Sequence, residues 1–544
     1  MSVKGWPSSR VVNEHLPLLF LFTVLTVFMT WPLALPATVA VPASDDVYFS
    51  IWRLAWVAHQ LPRDVTTLFD ANVFYPARDT LAYSDAMLLV GALAAPLFWL
   101  GVEPARIHNG ALLLAFLTSM YATYELAKRL TADRCAAVLA AVIFGFCPYR
   151  FAHIGHLELQ WVFWMPLALL FLHRLFERPT PINATMLGAL IAAQALTSIY
   201  YGVFFTVYLV VAWSMMAALH VNRTRVARMT AFAMLPLLVV VAIYGPPYAR
   251  SRHASGPRDA SEIAQYSAQP ADYLRVPPEN RLRGRPDRNA APDERSLFPG
   301  IVALVFAAMA FWPPVSRTAW LYGVLAVISF VASLGANGVL LLIVQRAAPI
   351  VTSLRSPARF GVLVALSVAL LAALSAARLR RARTWGSLLV AIAVPLSIAE
   401  NYSAPLTMRT YATKPSPAHQ FLATLPSNTV VLELPMPTLS SLWLYETTYQ
   451  VRSITHWKSL INGYSGFVPA EYARTLEAMR SFPDDRSVRR LKELGLDVIL
   501  VNRDYYDDAS YAMLMEKLNR SKHFETLRVF GQGSGEITVM TLRK

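Results

Sequence analysis

The chain has 544 residues, of which 55% are hydrophobic and only 15% are charged. Average soluble domains carry about 25% charged residues, so this composition excludes a purely soluble protein and favours a polytopic membrane protein. The 49 lysines and arginines exceed the 34 acidic residues by 15 charges. In a membrane protein such a surplus indicates basic cytoplasmic loops, so we expect no nucleic-acid partner. The two cysteines, Cys135 and Cys147, are too far apart on a helix to pair.

Apolar stretches recur from the N-terminus to residue 400. A helix that crosses a bilayer needs ~20 residues, and these stretches come close to that length. The first runs from about Leu16 to Ala40. It resembles a signal peptide, but its length and the spans that follow favour an uncleaved first helix. The sequence thus predicts about eleven transmembrane helices. The others lie near residues 108–127, 135–152, 161–175, 184–199, 202–219, 229–247, 299–313, 318–334, 360–377 and 385–399.

The segment Ala86–Gly101 decides the topology, because it is apolar but short and contains Pro96. If it does not cross the membrane, the densest basic clusters face the cytoplasm, as the positive-inside rule requires. We therefore expect a re-entrant or juxtamembrane helix here, a cytoplasmic N-terminus and an extracytoplasmic C-terminus. The basic clusters lie within residues 128–134, 174–178, 223–228 and 378–383.

This topology predicts a transmembrane domain over residues 1–400, with outer loops at 41–107 and 249–298. Residues 401–544 lose the transmembrane pattern, and we expect them to form a soluble extracytoplasmic α/β domain. Its predicted elements are helices at Ser416–Leu425 and Val488–Leu494, strands at Thr429–Leu434 and Asp497–Val501, and a closing hairpin at Phe530–Leu542.

Asp45 and Asp46 follow the first span directly, at its predicted outer end. Adjacent carboxylates at a membrane surface are costly unless they are solvated, paired or functional. Two interpretations stand. The pair begins or caps a helix predicted at Val47–His59, or it supplies a general base or a metal ligand for a substrate in the outer leaflet.

The order of these features resembles the GT-C superfamily of integral membrane glycosyltransferases, which includes protein O-mannosyltransferases and the bacterial aminoarabinose transferase. After the acidic pair and the long outer loop, Tyr121–Leu130 (YATYELAKRL) is similar to a stretch of those enzymes. Phe146–Gln160 (FCPYRFAHIGHLELQ) corresponds in position to the second outer loop of those enzymes. The resemblance is best over residues 15–220. Shorter segments resemble related bacterial membrane proteins: Phe74–Pro76, Tyr83–Asp85, Leu297–Gly300 and Arg355–Phe360.

The resemblance implies a multi-pass glycosyltransferase of the bacterial inner membrane. Its donor would be a sugar on a polyprenyl phosphate, and its acceptor an extracytoplasmic glycan, lipid or protein of the cell envelope. The catalytic aspartate of the family maps to the acidic pair, with Asp45 first and Asp46 second. One such general base together with one group that stabilises the leaving phosphate suffices for direct inversion. The chain lacks the stretch that closes the first outer loop in aminoarabinose transferases, so donor sugar and metal use are not carried over.

Seven polar residues near predicted outer helix ends are candidate substrate-binding residues: Asp85, Arg150, His153, His156, Glu158, Arg355 and Arg359. Asp85 assists the acidic pair or caps the re-entrant helix. His153 and His156 share a helical face and could meet a metal ion, but contact with acceptor or phosphate is favoured. Arg355 and Arg359 form a lipid-phosphate clamp or an ordinary headgroup contact, because guanidinium groups match phosphate oxygens.

Three other functions remain open. A flippase or transporter of lipid-linked sugars predicts ionisable residues at mid-membrane, whereas most charges here lie at helix ends. A surface-polysaccharide polymerase or ligase does not need the acidic pair, and a non-catalytic scaffold would keep only the fold. In the tail, His456–Gly466 (HWKSLINGYSG) predicts either an acceptor-binding segment or a packed turn.

Overall fold

The computed structural model describes residues 9–35, 39–255, 260–285, 293–338, 355–382, 384–411, 415–438, 441 and 445–543. The chain divides into two compact units. Unit 1 comprises Met1–Thr38, Asn109–Ala242 and Pro257–Met408; unit 2 comprises Val39–His108, Ile243–Gly256 and Arg409–Lys544. The predicted division at residue 400 stays a prediction.

Helices make up most of the described chain. In order they are α1 (Ser9–Met29), α2 (Asp45–Gln60), α3 (Leu88–Trp99), α4 (Pro104–Thr131), α5 (Arg134–Gly145), α6 (Pro148–Ala152), α7 (Leu157–Gln160), α8 (Trp164–Glu177), α9 (Pro181–Thr197), α10 (Ile199–Ala218), α11 (Arg223–Thr230), α12 (Met234–Ser255), α13 (Ala260–Gln265), α14 (Ile301–Met309), α15 (Arg317–Ser333), α16 (Gly361–Ala382), α17 (Gly386–Glu400), α18 (Pro417–Thr424), α19 (Glu446–Ser453), α20 (Ala470–Ala478), α21 (Asp485–Glu493) and α22 (Asp508–Arg520).

Helix α16 is the central helix of unit 1. Its side chains are buried without interruption from Gly361 to Ala373, and it packs against α5, α14 and α15. Many of these positions are alanine, serine or glycine. Small side chains let neighbouring backbones approach closely, which is how helices associate in membranes.

Six helical segments of the described chain are long and apolar enough to cross a bilayer: Pro104–Thr131, Arg134–Ala152, Leu157–Glu177, Ile199–Ala218, Arg223–Arg252 and Pro357–Ala382. Five further apolar helices are shorter: His15–Met29, Leu88–Trp99, Pro181–Thr197, Arg317–Ser333 and Gly386–Glu400. The predicted helical architecture with several candidate spans is therefore confirmed, while the count of about eleven stays a prediction.

One predicted span, at residues 299–313, differs from the helix observed. Helix α14 has only nine residues. It begins after Gly300, whose φ of +103° is incompatible with an α-helix. It ends before Pro313 and Pro314. Proline lacks the amide hydrogen that a continuing helix needs, so the apolar run breaks there.

Unit 2 contains a five-stranded mixed sheet. Its predicted inner strands are confirmed as β3 and β5, which pair in parallel with Val431 opposite Val498 and bury every residue. The predicted closing hairpin is confirmed as the antiparallel pair of β6 and β7. The strand order is β4-β3-β5-β7-β6, and β1 and β2 form a separate pair. The strands are β1 (Ala40–Pro42), β2 (Met408–Thr410), β3 (Val430–Leu434), β4 (Ser459–Leu460), β5 (Val498–Asn502), β6 (Phe524–Phe530) and β7 (Ile537–Leu542).

The first outer loop forms main-chain hydrogen bonds with the edge strand β4 and with the residues that follow it. The amide of Leu460 donates to the carbonyl of Asn72 at 2.9 Å, and the amide of Tyr75 donates to the carbonyl of Leu460 at 2.8 Å. A third bond joins the amide of Phe74 to the carbonyl of Asn462 at 2.9 Å. The predicted outer loop and the C-terminal tail thus belong to one folded unit.

Candidate functional site

The acidic pair lies in the first turn of α2. Ser44 occupies the N-cap position with extended backbone, and Asp45 and Asp46 follow it. The unpaired amide groups at a helix N-terminus favour negative charge, so two adjacent carboxylates are tolerated there. The helix predicted at Val47–His59 therefore begins two residues earlier, and neither aspartate is its N-cap.

Asp45 forms an ion pair with Arg409. The Nη1 atom of Arg409 lies 2.8 Å from Oδ1 of Asp45, and its Nη2 donates to the carbonyl of Ser44 at 2.6 Å. The guanidinium carbon also lies 3.7 Å from the centre of the Tyr48 ring. The two side chains are 33% and 29% exposed, so the pair is accessible to a ligand.

Asp46 accepts a hydrogen bond from the tail. The phenol of Tyr464 donates to Oδ1 of Asp46 at 3.1 Å, and the Tyr464 ring meets the Phe49 ring edge-on at 5.3 Å. The Nε2 atom of Gln450 donates a hydrogen bond to the main-chain carbonyl of Tyr464 at 2.8 Å, which holds the tyrosine in place. The aromatic tail segment His456–Gly466 thus contributes a residue to the acidic pair. We call Asp45, Asp46, Arg409 and Tyr464 the acidic site.

Asp85 is buried in unit 2. Its main-chain carbonyl accepts a 2.7 Å hydrogen bond from Nη1 of Arg53, whose guanidinium stacks on Phe49 at 4.2 Å. Met87, and not Asp85, occupies the N-cap position of α3. The role of Asp85 toward a substrate stays a prediction.

Unit 2 contains two buried carboxyl groups that the sequence pattern does not predict. Glu433 contacts Nε2 of His419 at 3.1 Å, and although burial alone would raise its pKa, the histidine lowers it. Glu446 accepts hydrogen bonds from Tyr472 at 2.7 Å and Asn462 at 3.1 Å. Burial nevertheless dominates and raises the pKa of Glu446 to about 8, because a charged carboxylate loses its hydration there.

In unit 1, Arg150 is completely buried and fixes the second predicted outer loop. It donates to the carbonyls of Gly145 and Gln160, both at 2.9 Å, and to the Gln160 side chain at 3.2 Å. Its guanidinium also stacks on Phe116 at 4.1 Å. These contacts show a structural role for Arg150, and its predicted substrate contact stays a prediction.

His153 lies at the C-terminal end of α6 and is fully buried. Its Nδ1 atom is 2.8 Å from the Tyr149 carbonyl, while its Nε2 has no hydrogen-bond partner. Burial lowers the pKa of His153 to about 4, so the ring is neutral. His156 lies 3.5 Å from Glu158, and the two histidine rings are 6.0 Å apart. Among the described residues, no three potential ligands are placed to hold a metal ion.

Glu294, which the sequence analysis did not single out, is the centre of this polar region. It pairs with Arg359 at 3.2 Å, and both side chains are almost fully buried. Burial would raise the pKa of Glu294, but electrostatic interactions, with Arg359 first and then with His153, His156 and Arg355, lower it to about 2. Predicted site residues from two distant segments thus converge on one carboxylate. We call Glu294, His153, His156, Arg355 and Arg359 the Glu294 cluster.

Arg355 is the accessible arginine of the Glu294 cluster. It lies 3.5 Å from Glu262 with its side chain 27% exposed, and its guanidinium stacks on Tyr266 at 4.6 Å. Arg359, by contrast, is 7% exposed. The predicted arginine clamp is therefore asymmetric, with one buried and one accessible guanidinium.

Comparison with solved structures identifies the fold. The arabinofuranosyltransferase AftD from Mycobacteria matches 99% of this chain at 13% identity and a TM-score of 0.60. A second match is the oligosaccharyltransferase AglB from Archaeoglobus fulgidus, solved with an inhibitory peptide and a dolichol phosphate. The match covers 97% of this chain and 74% of the AglB chain, at 13% identity and a TM-score of 0.52. The chain spans about 40% of the length of AftD. No protein-family model and no curated protein matches the sequence. The predicted resemblance to GT-C glycosyltransferases is thereby confirmed at the level of the fold.

Proposed function

We propose, from this GT-C fold, that the chain is a membrane glycosyltransferase. It transfers a sugar from a polyprenyl-phosphate donor to an extracytoplasmic acceptor of the cell envelope. The observation that carries the proposal is the acidic site, where two partly exposed carboxylates meet an arginine and a phenol at a helix N-terminus. The dolichol phosphate bound to AglB is a polyisoprenoid phosphate of the proposed donor class.

The acidic site has the groups that direct inversion needs. The acceptor hydroxyl attacks the anomeric carbon of the sugar, and a carboxylate takes its proton as the new bond forms. The bond between the anomeric carbon and the phosphate oxygen breaks, and the lipid phosphate leaves with that electron pair. Fixed positive charge stabilises the leaving phosphate, and guanidinium groups suit this task.

We assign the base to Asp46 and a positioning role to Asp45. Asp45 would have to give up its ion pair with Arg409 before it could accept a substrate proton. Asp46 accepts a hydrogen bond at one oxygen from the phenol of Tyr464, which orients the carboxylate. Preorganised groups contribute most to catalysis, so this oriented carboxylate is the proposed base.

Within unit 1, we propose that Arg355 of the Glu294 cluster binds a lipid phosphate. Its guanidinium is partly exposed, whereas Arg359 is buried against Glu294 and anchors the segment that carries both arginines. His153 and His156 complete the polar surroundings of this segment. The role of Arg359 is therefore to position Arg355.

The test is glycosyl transfer by the purified full chain in lipid, with a panel of polyprenyl-phosphate sugars as donors. Asp46→Asn should lower the rate about 100-fold or more, as removal of a general base does. Asp45→Asn should lower it less. Asp64→Asn is the matched control, because Asp64 only caps a short helical turn in the same unit and asparagine caps equally well.

Each outcome has a distinct meaning. If wild type turns over and neither site variant matters, the acidic site is structural and the proposed base is wrong. If no donor is turned over but labelled lipid-linked sugar crosses the bilayer, the protein is a flippase. Absence of both activities would leave the scaffold interpretation.

Tyr464→Phe tests the contribution of the tail to the reaction. Loss of the phenol removes one hydrogen bond to Asp46, so kcat should fall about tenfold while KM changes little. Tyr75→Phe, at a tyrosine that is 38% exposed, should leave both constants unchanged. An unchanged kcat in Tyr464→Phe would remove this residue from the proposed site.

A further inference from the structure

Unit 1 contains a cavity of about 460 Å³ where α4 and α16 end and α15 begins. Leu130, Ala310 and Leu374 line its apolar part, and Ser316, Arg378 and Arg381 line its polar part. No acidic residue belongs to its described lining. The cavity therefore combines apolar walls with two cationic side chains.

The two arginines are held in place by neutral partners. Arg378 donates to the carbonyls of Trp312, Pro313 and Pro314, and Arg381 donates to the carbonyl of Thr131. Carbonyl groups fix the guanidinium planes but do not cancel their charge. Arg380, between them in sequence, instead pairs with Asp133 and does not line the cavity.

The start of α15 adds to the positive potential. Ser316 is its N-cap, and its hydroxyl oxygen accepts from the amide of Ala319 at 3.1 Å. The helix has 17 residues, so its N-terminus carries a substantial partial positive charge. The hydroxyl hydrogen of Ser316 is available to donate to an anion at the cavity wall.

We propose that this cavity binds the phosphate of an anionic phospholipid. The phosphate lies against Arg378 and Arg381, and the glycerol and first methylene groups pack on Leu130, Ala310 and Leu374. Basic pockets between transmembrane helices recognise lipid headgroups in this way. A small soluble anion would gain nothing from the apolar wall, which is why a lipid is the favoured ligand. The proposal does not depend on the proposed glycosyl transfer.

The position of the cavity supports a lipid. Helices α4 and α16 are both candidate membrane spans, and the cavity lies at their C-terminal ends. A headgroup is located where spans leave the hydrocarbon. The same ends carry the basic clusters 128–134 and 378–383, and basic residues beside a span attract anionic lipids.

The test measures lipid binding to the purified full chain in a neutral detergent, by native mass spectrometry and by thermal stabilisation. Phosphatidylglycerol is the probe, and phosphatidylcholine is the zwitterionic comparison. We expect phosphatidylglycerol to bind at least tenfold more tightly. The double variant Arg378→Gln/Arg381→Gln should weaken its binding roughly 30-fold, from about one kcal/mol per basic residue.

Arg380→Gln is the matched control, because it removes one charge from the same helix turn outside the cavity. It should leave phosphatidylglycerol binding within about twofold of wild type. If the double variant is poorly folded, Arg381→Gln alone should still weaken binding, and Arg381→Lys should restore most of it. Equal binding of both lipids, or an equal loss in Arg380→Gln, would overturn the proposal. Stabilisation by inorganic phosphate alone, at the concentration effective for the lipid, would show a simple anion site and overturn it too.

Discussion

Replacing Glu446 with glutamine should change how the stability of the protein depends on pH. Glu446 is fully buried, and its pKa is raised from 4.5 to about 8. The folded state therefore binds this proton more tightly than the unfolded chain does. Stability from this group is complete below pH 4.5 and declines as the pH rises toward 8.

The size of the effect follows from the two pKa values. At pH 7 Glu446 keeps its proton in the folded protein. In the unfolded chain its pKa is 4.5, which lies 2.5 units below pH 7, so the proton is released. At about 1.4 kcal/mol per unit, the wild type should lose roughly 3 kcal/mol of stability between pH 4.5 and pH 7 from Glu446 alone. Glu446→Gln has no proton to lose, so this decline disappears.

The assay is the apparent melting temperature of unit 2 in the full chain, followed between pH 5 and 8 for both proteins. The curves should nearly coincide at pH 5 and diverge toward pH 8, where the variant is the more stable. Glu477→Gln is the control, because the Glu477 side chain is 47% exposed. The melting curve of this variant against pH should run parallel to that of wild type. Parallel curves for Glu446→Gln and wild type would refute the reasoning, because Glu446 would then titrate as an ordinary carboxyl group.

Two further variants test packing. Glu294→Gln leaves Arg359 buried without the carboxylate that lies 3.2 Å away, and should lower the free energy of unfolding by about 3–5 kcal/mol. Adding Arg359→Met should recover part of this loss. An unchanged melting temperature in the single variant would contradict the ion pair. Gly463→Ala places a Cβ atom 2.7 Å from the Phe74 ring. It should cost about 1–3 kcal/mol and speed hydrogen exchange in the first outer loop, whereas Gly535→Ala, with open space around it, should not.

The elements that the sequence predicts well are those with a local pattern. The strands β3 and β5 are short apolar runs between turn residues, and the acidic pair is visible as two carboxylates after an apolar span. Such signals need no knowledge of distant residues. For the same reason the apolar run at 299–313 misleads, because Gly300 and the proline pair outweigh hydrophobicity.

The partners of the predicted site residues could not be found in this way. Arg409 and Tyr464 lie more than 360 residues after the acidic pair. Glu294 lies in a segment rich in alternating charges, which predicts a hydrated loop, yet the side chain is buried against Arg359. Burial of a charge depends on what packs over it, and one sequence does not contain that information.

The pairing of the first outer loop with β4 has a consequence for biosynthesis. Asn72 donates to the carbonyl of Lys458, which lies 386 residues further along the chain. At about 5–20 residues per second, a ribosome needs roughly 20–80 s to make the intervening polypeptide. During this time the loop has been translated but lacks its partner strand. The native hydrogen bonds of this loop can therefore form only when translation is almost complete.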